Sequence, residues 1–325
     1  MIVPDYWAEA RRQYKTAQTQ VTVRRYGWSV SSQADAQLMA EARADEALQR
    51  IVSGEPLARR ERKVAYNGSA GVPIREEVLA RHGEQVVTRN AYGAHCLNSP
   101  DTLFADVDFH QERGLKPALL VFAALALVSL ATGVFMESLK TTFALLFVSL
   151  VAAIPLAHLF FRLAELAGGG AEKIACKRIA GFIAANPDWS LRLYRTPAGY
   201  RVLATHRPFS AHEEDVRRFF SSICADPVYV RMCMNQNCFR ARLTAKPWRI
   251  GISKHLRPRS GVWPVQPELA PVRAEWVSRY EAQAAAFAAC RYIASMGSGV
   301  IHESLQPVID LHDRESRALS EAPLA

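Results

Sequence analysis

The chain lacks the short motifs that mark several common enzyme classes. It has no glycine-rich phosphate loop, no Gly-x-Ser-x-Gly elbow and no His-Glu-x-x-His pair. These absences argue against P-loop nucleotide hydrolysis, serine-hydrolase chemistry and zincin-type proteolysis. The first residues also lack a basic segment followed by an apolar one, so no signal peptide is expected.

A disulfide framework is also missing. The six cysteines are Cys96, Cys176, Cys224, Cys233, Cys238 and Cys290. Their irregular spacing in a chain of 325 residues predicts free cytosolic thiols. Cys224, Cys233 and Cys238 could ligate zinc together with His206, but they lack paired zinc-knuckle spacing, and buried small apolar side chains are the expected alternative.

Acidic residues are absent from one long stretch, from Pro227 to Pro267. Its basic residues are Arg231, Arg240, Arg242, Lys246, Arg249, Lys254, Arg257 and Arg259. Arg240 and Arg242 alternate along a predicted strand and therefore share a face. Such a stretch predicts contact with a polyanion, which is a nucleic acid, the phosphates of a nucleotide or an anionic lipid surface. The net charge of +9 agrees with this prediction.

Two uncharged apolar runs dominate the middle of the sequence. The first, 117–136, has 20 residues, and the second, 141–161, has 21. Only Glu137, Ser138, Leu139 and Lys140 separate them. At about 1.5 Å rise per residue, each run matches the roughly 30 Å hydrocarbon core of a bilayer. The pattern predicts a transmembrane hairpin within residues 115–163, and a buried hairpin in a soluble protein is the alternative.

Basic residues next to the two runs predict the orientation. Arg113 and Lys116 precede the first run, and Arg162 and Lys173 follow the second. By the positive-inside rule, both long flanks should be cytoplasmic. The predicted location is therefore the bacterial inner membrane, with two spans and both termini in the cytoplasm.

The flanks predict an α+β fold. The predicted strands are 20–30, 85–92, 103–109, 191–195, 200–205 and 239–243. The predicted helices are 31–53, 74–81, 172–185, 210–224, 271–295 and a weaker one from Glu303. Because neither flank has enough strands for a sheet of its own, residues 1–114 and 164–325 are expected to form one domain around one mixed or antiparallel sheet. Two separate flank domains are the alternative.

Asp106 and Asp108 are the candidate metal ligands. They are two residues apart on a predicted strand, so both side chains point to the same face. Paired carboxylates are hard oxygen ligands that suit Mg²⁺ or Mn²⁺. The alternative is a solvated strand end near the membrane.

His206 is a candidate phosphate contact, together with Arg240 and Arg242. It follows the predicted hairpin 191–205 and could bind a metal or a phosphate, whereas a surface loop before Pro208 is the alternative. A third acidic residue on a later strand is not evident, because Asp226 precedes Pro227 in an expected loop.

Asp-x-Asp on one strand, followed by a hairpin that ends in His, resembles the palm of archaeo-eukaryotic primases and primase-polymerases. The resemblance implies that Asp106 and Asp108 hold divalent metals and that His206 contacts nucleotide phosphates. The segments 194–206 (YRTPAGYRVLATH) and 238–249 (CFRARLTAKPWR) also resemble a family of bacterial two-span membrane proteins with no assigned activity.

Two functional hypotheses follow from these patterns. In the first, a membrane-anchored cytoplasmic domain binds a metal–nucleotide or a nucleic acid, and the residues do not decide whether it also catalyses a reaction. In the second, a non-enzymatic membrane protein docks its basic face on anionic lipid or on a protein partner.

Overall fold

The structure is a computed structural model, and it describes residue 1 and residues 3–61, 73–109, 115–253, 256 and 263–325. The described strands are β1 (Tyr6–Lys15), β2 (Gln20–Ser29), β3 (Glu77–His82), β4 (Gln85–Arg89), β5 (His95–Ser99), β6 (Phe104–Asp108), β7 (Ser190–Arg195), β8 (Gly199–Ala204), β9 (Phe239–Arg242) and β10 (Arg291–Gly297). The described helices are α1 (Gln33–Val52), α2 (Lys116–Phe135), α3 (Leu139–Ala167), α4 (Ala171–Ala185), α5 (Glu214–Ile223), α6 (Pro227–Gln236), α7 (Ala270–Ala284) and α8 (Gln306–Glu315). The fold is α+β, as the sequence predicts.

The strands form three antiparallel sheets instead of the single sheet expected. The four-stranded sheets have the orders β10-β7-β8-β6 and β3-β4-β5-β9, and β1 pairs with β2. Each four-stranded sheet combines strands from both sides of the apolar helices, because β6 pairs with β8 and β5 pairs with β9. The two flanks therefore build common sheets.

Helix α1 packs on the β1–β2 hairpin. Ser32 caps the helix by accepting the backbone N–H of Asp35 at 3.1 Å, close to the predicted start. The helix buries alanines against the hairpin, and a Cβ on Gly27 would lie 2.1 Å from the carbonyl oxygen of Ala36. Small residues on both surfaces thus allow a very close helix–sheet approach.

The edge strands β6 and β9 bring the two larger sheets together. The Tyr229 hydroxyl donates to the carbonyl oxygen of Phe104 at 2.9 Å and accepts the backbone N–H of Arg240 at 3.2 Å. Arg201 on β8 donates from Nη1 to the carbonyl oxygen of Arg242 at 2.8 Å. These bonds span the gap between the sheets and leave a cleft beside it.

Helices α2 and α3 form an antiparallel hairpin that is long and apolar enough to cross a membrane. Only 11% and 17% of their most apolar stretches are buried inside the structure. The Ser129 and Ser149 hydroxyls meet at 2.9 Å between the two helices. A Cβ on Gly133 would lie 1.8 Å from Oγ1 of Thr142, so the helices also touch closely near the turn.

Several segments differ from the sequence prediction, which contained neither β1 nor α6. The predicted helix 74–81 is wrong, because Gly83, with φ 59°, turns the chain between the paired strands β3 and β4. The predicted turn at 98–101 overlaps the end of β5. The predicted helix 271–295 ends at Ala284, and its last part is β10, whose pairing with β7 outweighs local helix propensity.

Candidate functional site

Strand β6 presents both aspartates of the Asp-x-Asp motif at one surface. Phe104, Ala105 and Val107 are buried, and Asp106 and Asp108 are partly exposed. The buried neighbours fix the strand against the core, and the two-residue period places both carboxylates on the same side. The structure therefore brings the two candidate metal ligands to one site.

The N-terminus of α6 adds a third carboxylate. The backbone N–H of Asp226 donates to the carbonyl oxygen of Asp106 at 2.9 Å. The Asp226 side chain caps α6 by accepting the N–H of Val228 at 2.9 Å, and Pro227 occupies the first turn. Asp followed by Pro is a helix-start signal that could have placed this residue at a cap instead of in a loop.

Basic residues from β8, from β9 and from the segment after β9 line one cavity of about 270 Å³ together with these carboxylates. The cationic side chains that line it are Arg201, Arg240, Arg242, Lys246 and Arg249. The cavity is also lined by Glu76, Asn90, Tyr92, Cys96, Asp106, Asp108, Thr196, Ala198, Asp226, Tyr229 and Met232. Both predicted aspartates and both predicted arginines, Arg240 and Arg242, thus share a single cavity.

Asp106 already has a strong partner. Its Oδ1 lies 3.0 Å from Nε of Arg201, whose side chain is 1% exposed. Burial opposes the charge on Arg201, but the charge and hydrogen bond of Asp106, together with Cys290 and Tyr229, outweigh burial and raise the pKa of the guanidinium. Asp106 therefore stabilises a buried cation and helps to hold β6 against β8.

Asp108 is in the opposite situation. Within the described part of the chain, its carboxylate makes no hydrogen bond or ion pair. Burial and the negative charges of Asp106 and Asp226 raise its pKa, and Lys246 and Arg249 only partly counter this. The site thus holds negative charge that the surrounding described residues do not fully neutralise.

The basic side chains that line the cavity repel one another. Burial, followed by the neighbouring cation Arg242, lowers the pKa values of both Lys246 and Arg249. Nη1 of Arg249 is buried and has no hydrogen-bond partner among the described residues. A bound anion would relieve this repulsion and satisfy the Arg249 donor.

Arg240 has a different environment from Arg242. Its Nη2 lies 2.5 Å from Oε2 of Glu76, a side chain that is only 1% exposed. Oε2 also accepts the Thr88 hydroxyl at 2.6 Å, and burial raises the pKa of Glu76. Arg240 is thus anchored by a buried carboxyl, whereas Arg242 donates to the carbonyl oxygen of Thr244 at 3.0 Å.

His206 does not join the site. In the antiparallel register Asp106 pairs with Arg201, and His206 follows five residues later, roughly 16 Å along an extended chain. Its ring packs on Trp189 at 4.7 Å and its Nδ1 accepts the N–H of Ser190 at 3.3 Å. Burial and the charge of Arg207 lower its pKa. The expected grouping of His206 with the aspartates is therefore corrected.

The acidic residues of the cavity match the requirements of a metal site only in part. Among the described residues, no group of three or more His, Cys, Asp or Glu side chains could hold a metal ion. The zinc alternative with Cys224, Cys233 and Cys238 thus gains no support. Mg²⁺ commonly needs only one or two carboxylates, with phosphate and water oxygens completing its shell, and Asp108 and Asp226 fit that requirement.

No protein family matches the chain, and no curated protein or solved structure is significantly similar to it. The resemblances drawn from the Asp-x-Asp motif and from the segments 194–206 and 238–249 stay predictions. Arguments about function therefore depend on the geometry of the cavity.

Proposed function

We propose that this chain is a membrane-anchored protein whose α+β domain binds a phosphorylated ligand together with a divalent cation. The supporting observation is the presence of mutually repelling charges of both signs in one cavity. Asp108 and Asp226 line it together with Arg242, Lys246 and Arg249, and the like charges within each group disfavour one another. A metal–phosphate complex carries both charges and would complement both groups at once.

The acidic and the basic side chains would bind different parts of the ligand. Mg²⁺ or Mn²⁺ would take oxygen ligands from Asp108 and Asp226 and supply the charge that neutralises them. The basic side chains would bind the remaining phosphate oxygens through charge-assisted hydrogen bonds. The cavity volume of about 270 Å³ is near the lower end of the range for small-ligand pockets. A cavity of this size suits a nucleotide whose outer part extends beyond the cavity, or one end of a nucleic acid strand.

The positions of the basic residues favour this proposal over lipid or protein docking through a flat basic surface. Of the described cations in the acid-free stretch, Arg240, Arg242, Lys246 and Arg249 line the cavity. Arg231 lies in a separate groove, and Lys254, Arg257 and Arg259 are outside the described residues. A docking function would leave the repelling charges inside the cavity uncompensated.

The proposed location is the bacterial inner membrane, with α2 and α3 as the spans and both flanks in the cytoplasm. The shared sheets support this topology, because β6 and β8 can pair only if residues before and after the helices lie on the same side. Two spans return the chain to that side. Lys116 before the hairpin and Arg162 after the apolar run agree with a cytoplasmic face, and Arg113 lies outside the described residues.

The test is direct binding to the full-length protein in detergent. Mn²⁺ binding is followed by electron paramagnetic resonance, and binding of Mn²⁺–ATP is followed by equilibrium dialysis. We expect Asp108→Asn and Asp226→Asn each to weaken Mn²⁺–nucleotide binding at least tenfold. Asp310→Asn, on the exposed surface of α8, is the matched control and should bind like wild type. Equal binding by all four proteins, or negligible binding of Mn²⁺ by wild type, would contradict the proposal.

A further inference from the structure

The cavity lies at the end of the β6–β8 pair that is nearest to the apolar helices. Asp108 pairs with Gly199 at this end, and eight residues later Lys116 begins α2. Thr196 and Ala198, in the β7–β8 turn, also line the cavity. The Asp108 end of β6 is therefore tied by a short connection to the first apolar helix.

The second apolar helix is tied to the same end. Three glycines, Gly168–Gly170, connect α3 to α4, and Glu172 lies in the first turn of α4. Its Oε1 accepts the Tyr200 hydroxyl at 2.9 Å. The same oxygen lies 3.4 Å from Nε of Arg195. Beyond Phe161, the rest of α3 adds six residues, or roughly 9 Å of helix. The cavity thus sits close to where both helices would leave a bilayer.

An exposed tryptophan lies at the rim of the cavity. Trp248 is 50% exposed, and its ring centroid lies 5.2 Å from that of Tyr92, which lines the cavity. The Lys246 ammonium lies 5.4 Å from the Trp248 ring. A tryptophan next to a lysine is typical of side chains that sit at the boundary between membrane and water. The rim therefore suits contact with lipid headgroups and the upper acyl chains.

We propose that the cavity opens toward the bilayer surface and that the phosphate it binds is a monoester carried by a membrane lipid. This inference rests on the proposed phosphate-binding function. A terminal phosphate has nearly two negative charges and three acceptor oxygens. It therefore matches the cluster Arg242, Lys246 and Arg249 better than the single charge of a phosphodiester headgroup does. Trp248 contacts the lipid glycerol and acyl region.

The test compares lipid-borne and free phosphate on the full-length protein in detergent with Mn²⁺ present. The probes are dioctanoyl phosphatidic acid, dioctanoyl phosphatidylcholine, inorganic phosphate and ATP, and dissociation constants are measured by thermophoresis. We expect phosphatidic acid to bind at least tenfold more tightly than inorganic phosphate or ATP, with no binding of phosphatidylcholine. Arg249→Gln should weaken phosphatidic acid binding about tenfold, with unfolding temperatures measured to verify its fold.

Trp248→Ala separates the lipid contact from the phosphate contact. It should weaken phosphatidic acid binding several-fold and leave ATP affinity unchanged, whereas the exposed control Leu319→Ala should change neither. ATP or inorganic phosphate binding as tightly as phosphatidic acid would overturn the lipid source and leave the proposed phosphate site intact. Absence of binding by every phosphate probe would overturn both proposals. Equal losses for lipid and ATP in Trp248→Ala would overturn the membrane-facing rim.

Discussion

Arg201 and Asp106 form an ion pair in which Nε and Oδ1 lie 3.0 Å apart and the arginine side chain is 1% exposed. Asp108, two residues further along β6, has no such partner among the described residues. The two aspartates of one motif thus have different roles. Asp106 compensates a buried cation, and Asp108 presents its charge to the cavity. A double substitution would mix an effect on stability with an effect on binding.

Asp106→Asn should destabilise the protein, because it leaves the Arg201 charge buried without its partner. Loss of one member of a buried pair costs about 3–5 kcal/mol, and we expect the lower end because the Asp106 side chain is 33% exposed. Urea unfolding of the detergent-solubilised protein measures the change. Asp310→Asn is the surface control, and a loss for Asp106→Asn no larger than for that control would show that the pair contributes little.

Asp108→Asn should stabilise the ligand-free protein at neutral pH. Burial and neighbouring carboxylates raise the Asp108 pKa in the folded state, so folding favours the protonated form. Wild type therefore loses stability as pH rises through the folded-state pKa, and a neutral asparagine avoids that loss. The expected gain is on the order of 1 kcal/mol, or roughly 2–4 °C in Tm.

The pH dependence checks the cause of that gain. Thermal unfolding of Asp108→Asn and wild type is compared from acidic to neutral pH without divalent cations. The difference in Tm should shrink toward zero at the acidic end, where Asp108 is protonated in both states. A difference that stays constant across the range would point to a change in packing instead of charge.

Gly199→Ala should disrupt the pairing of β6 with β8. A Cβ at Gly199 would lie 2.0 Å from the carbonyl oxygen of Val107 and 2.8 Å from Cα of Asp108, so the backbone must move. We expect a loss of about 1–3 kcal/mol and weaker Mn²⁺–nucleotide binding, because Asp108 shifts with the strand. The measurements are urea unfolding and the binding assay.

Gly181→Ala is the matched control for that substitution. Gly181 lies within α4, and a Cβ there meets nothing within 4 Å. Alanine should therefore stabilise the helix by about 0.5–1 kcal/mol and leave binding unchanged. If both substitutions change stability in the same direction, close approach at Gly199 is not the cause of its effect.

The turn between α2 and α3 should face the periplasm. Lys140→Cys is expected to react with a membrane-impermeant maleimide in intact spheroplasts, and Leu319→Cys should react only after the cells are permeabilised. Leu319 is 69% exposed, so a thiol at this position is accessible to the reagent on its own side of the membrane. Absence of labelling in intact spheroplasts would therefore indicate that this position faces the cytoplasm. A fluorescent protein fused to the C-terminus should fold and fluoresce. Labelling of Leu319→Cys in intact spheroplasts would contradict the proposed topology.

Local patterns account for much of the fold. The periodicity after Ser32, the turn at 196–199 and the two apolar runs predict α1, the β7–β8 hairpin, and α2 with α3. Strand β5 was not predicted, because its residues Asn98 and Ser99 are typical of turns. Their polar groups are buried in the structure, where Nδ2 of Asn98 donates to the carbonyl oxygen of Val86 at 2.9 Å. Such long-range compensation is not visible in a local sequence window.

The candidate site was predictable only where its residues are close in sequence. The two-residue spacing indicated that Asp106 and Asp108 share a face, and alternation did the same for Arg240 and Arg242. The sequence did not show that β8 pairs with β6 or in which register. It therefore could not predict that His206 follows the end of β8 that lies away from Asp108. A backbone hydrogen bond to Asp106 holds Asp226 at the cavity, and the two residues are 120 positions apart in the sequence.

The pairing of strands from both flanks also sets an order of events during synthesis. Strands β5 and β6 leave the ribosome before α2 and α3, but their partners β9 and β8 follow only after both apolar helices. The edges of β5 and β6 that pair with β9 and β8 must therefore wait unpaired until both apolar helices have been synthesised. In the membrane topology proposed above, this wait would include insertion of the hairpin, and a chain that fails to insert would expose strand edges that are prone to aggregate.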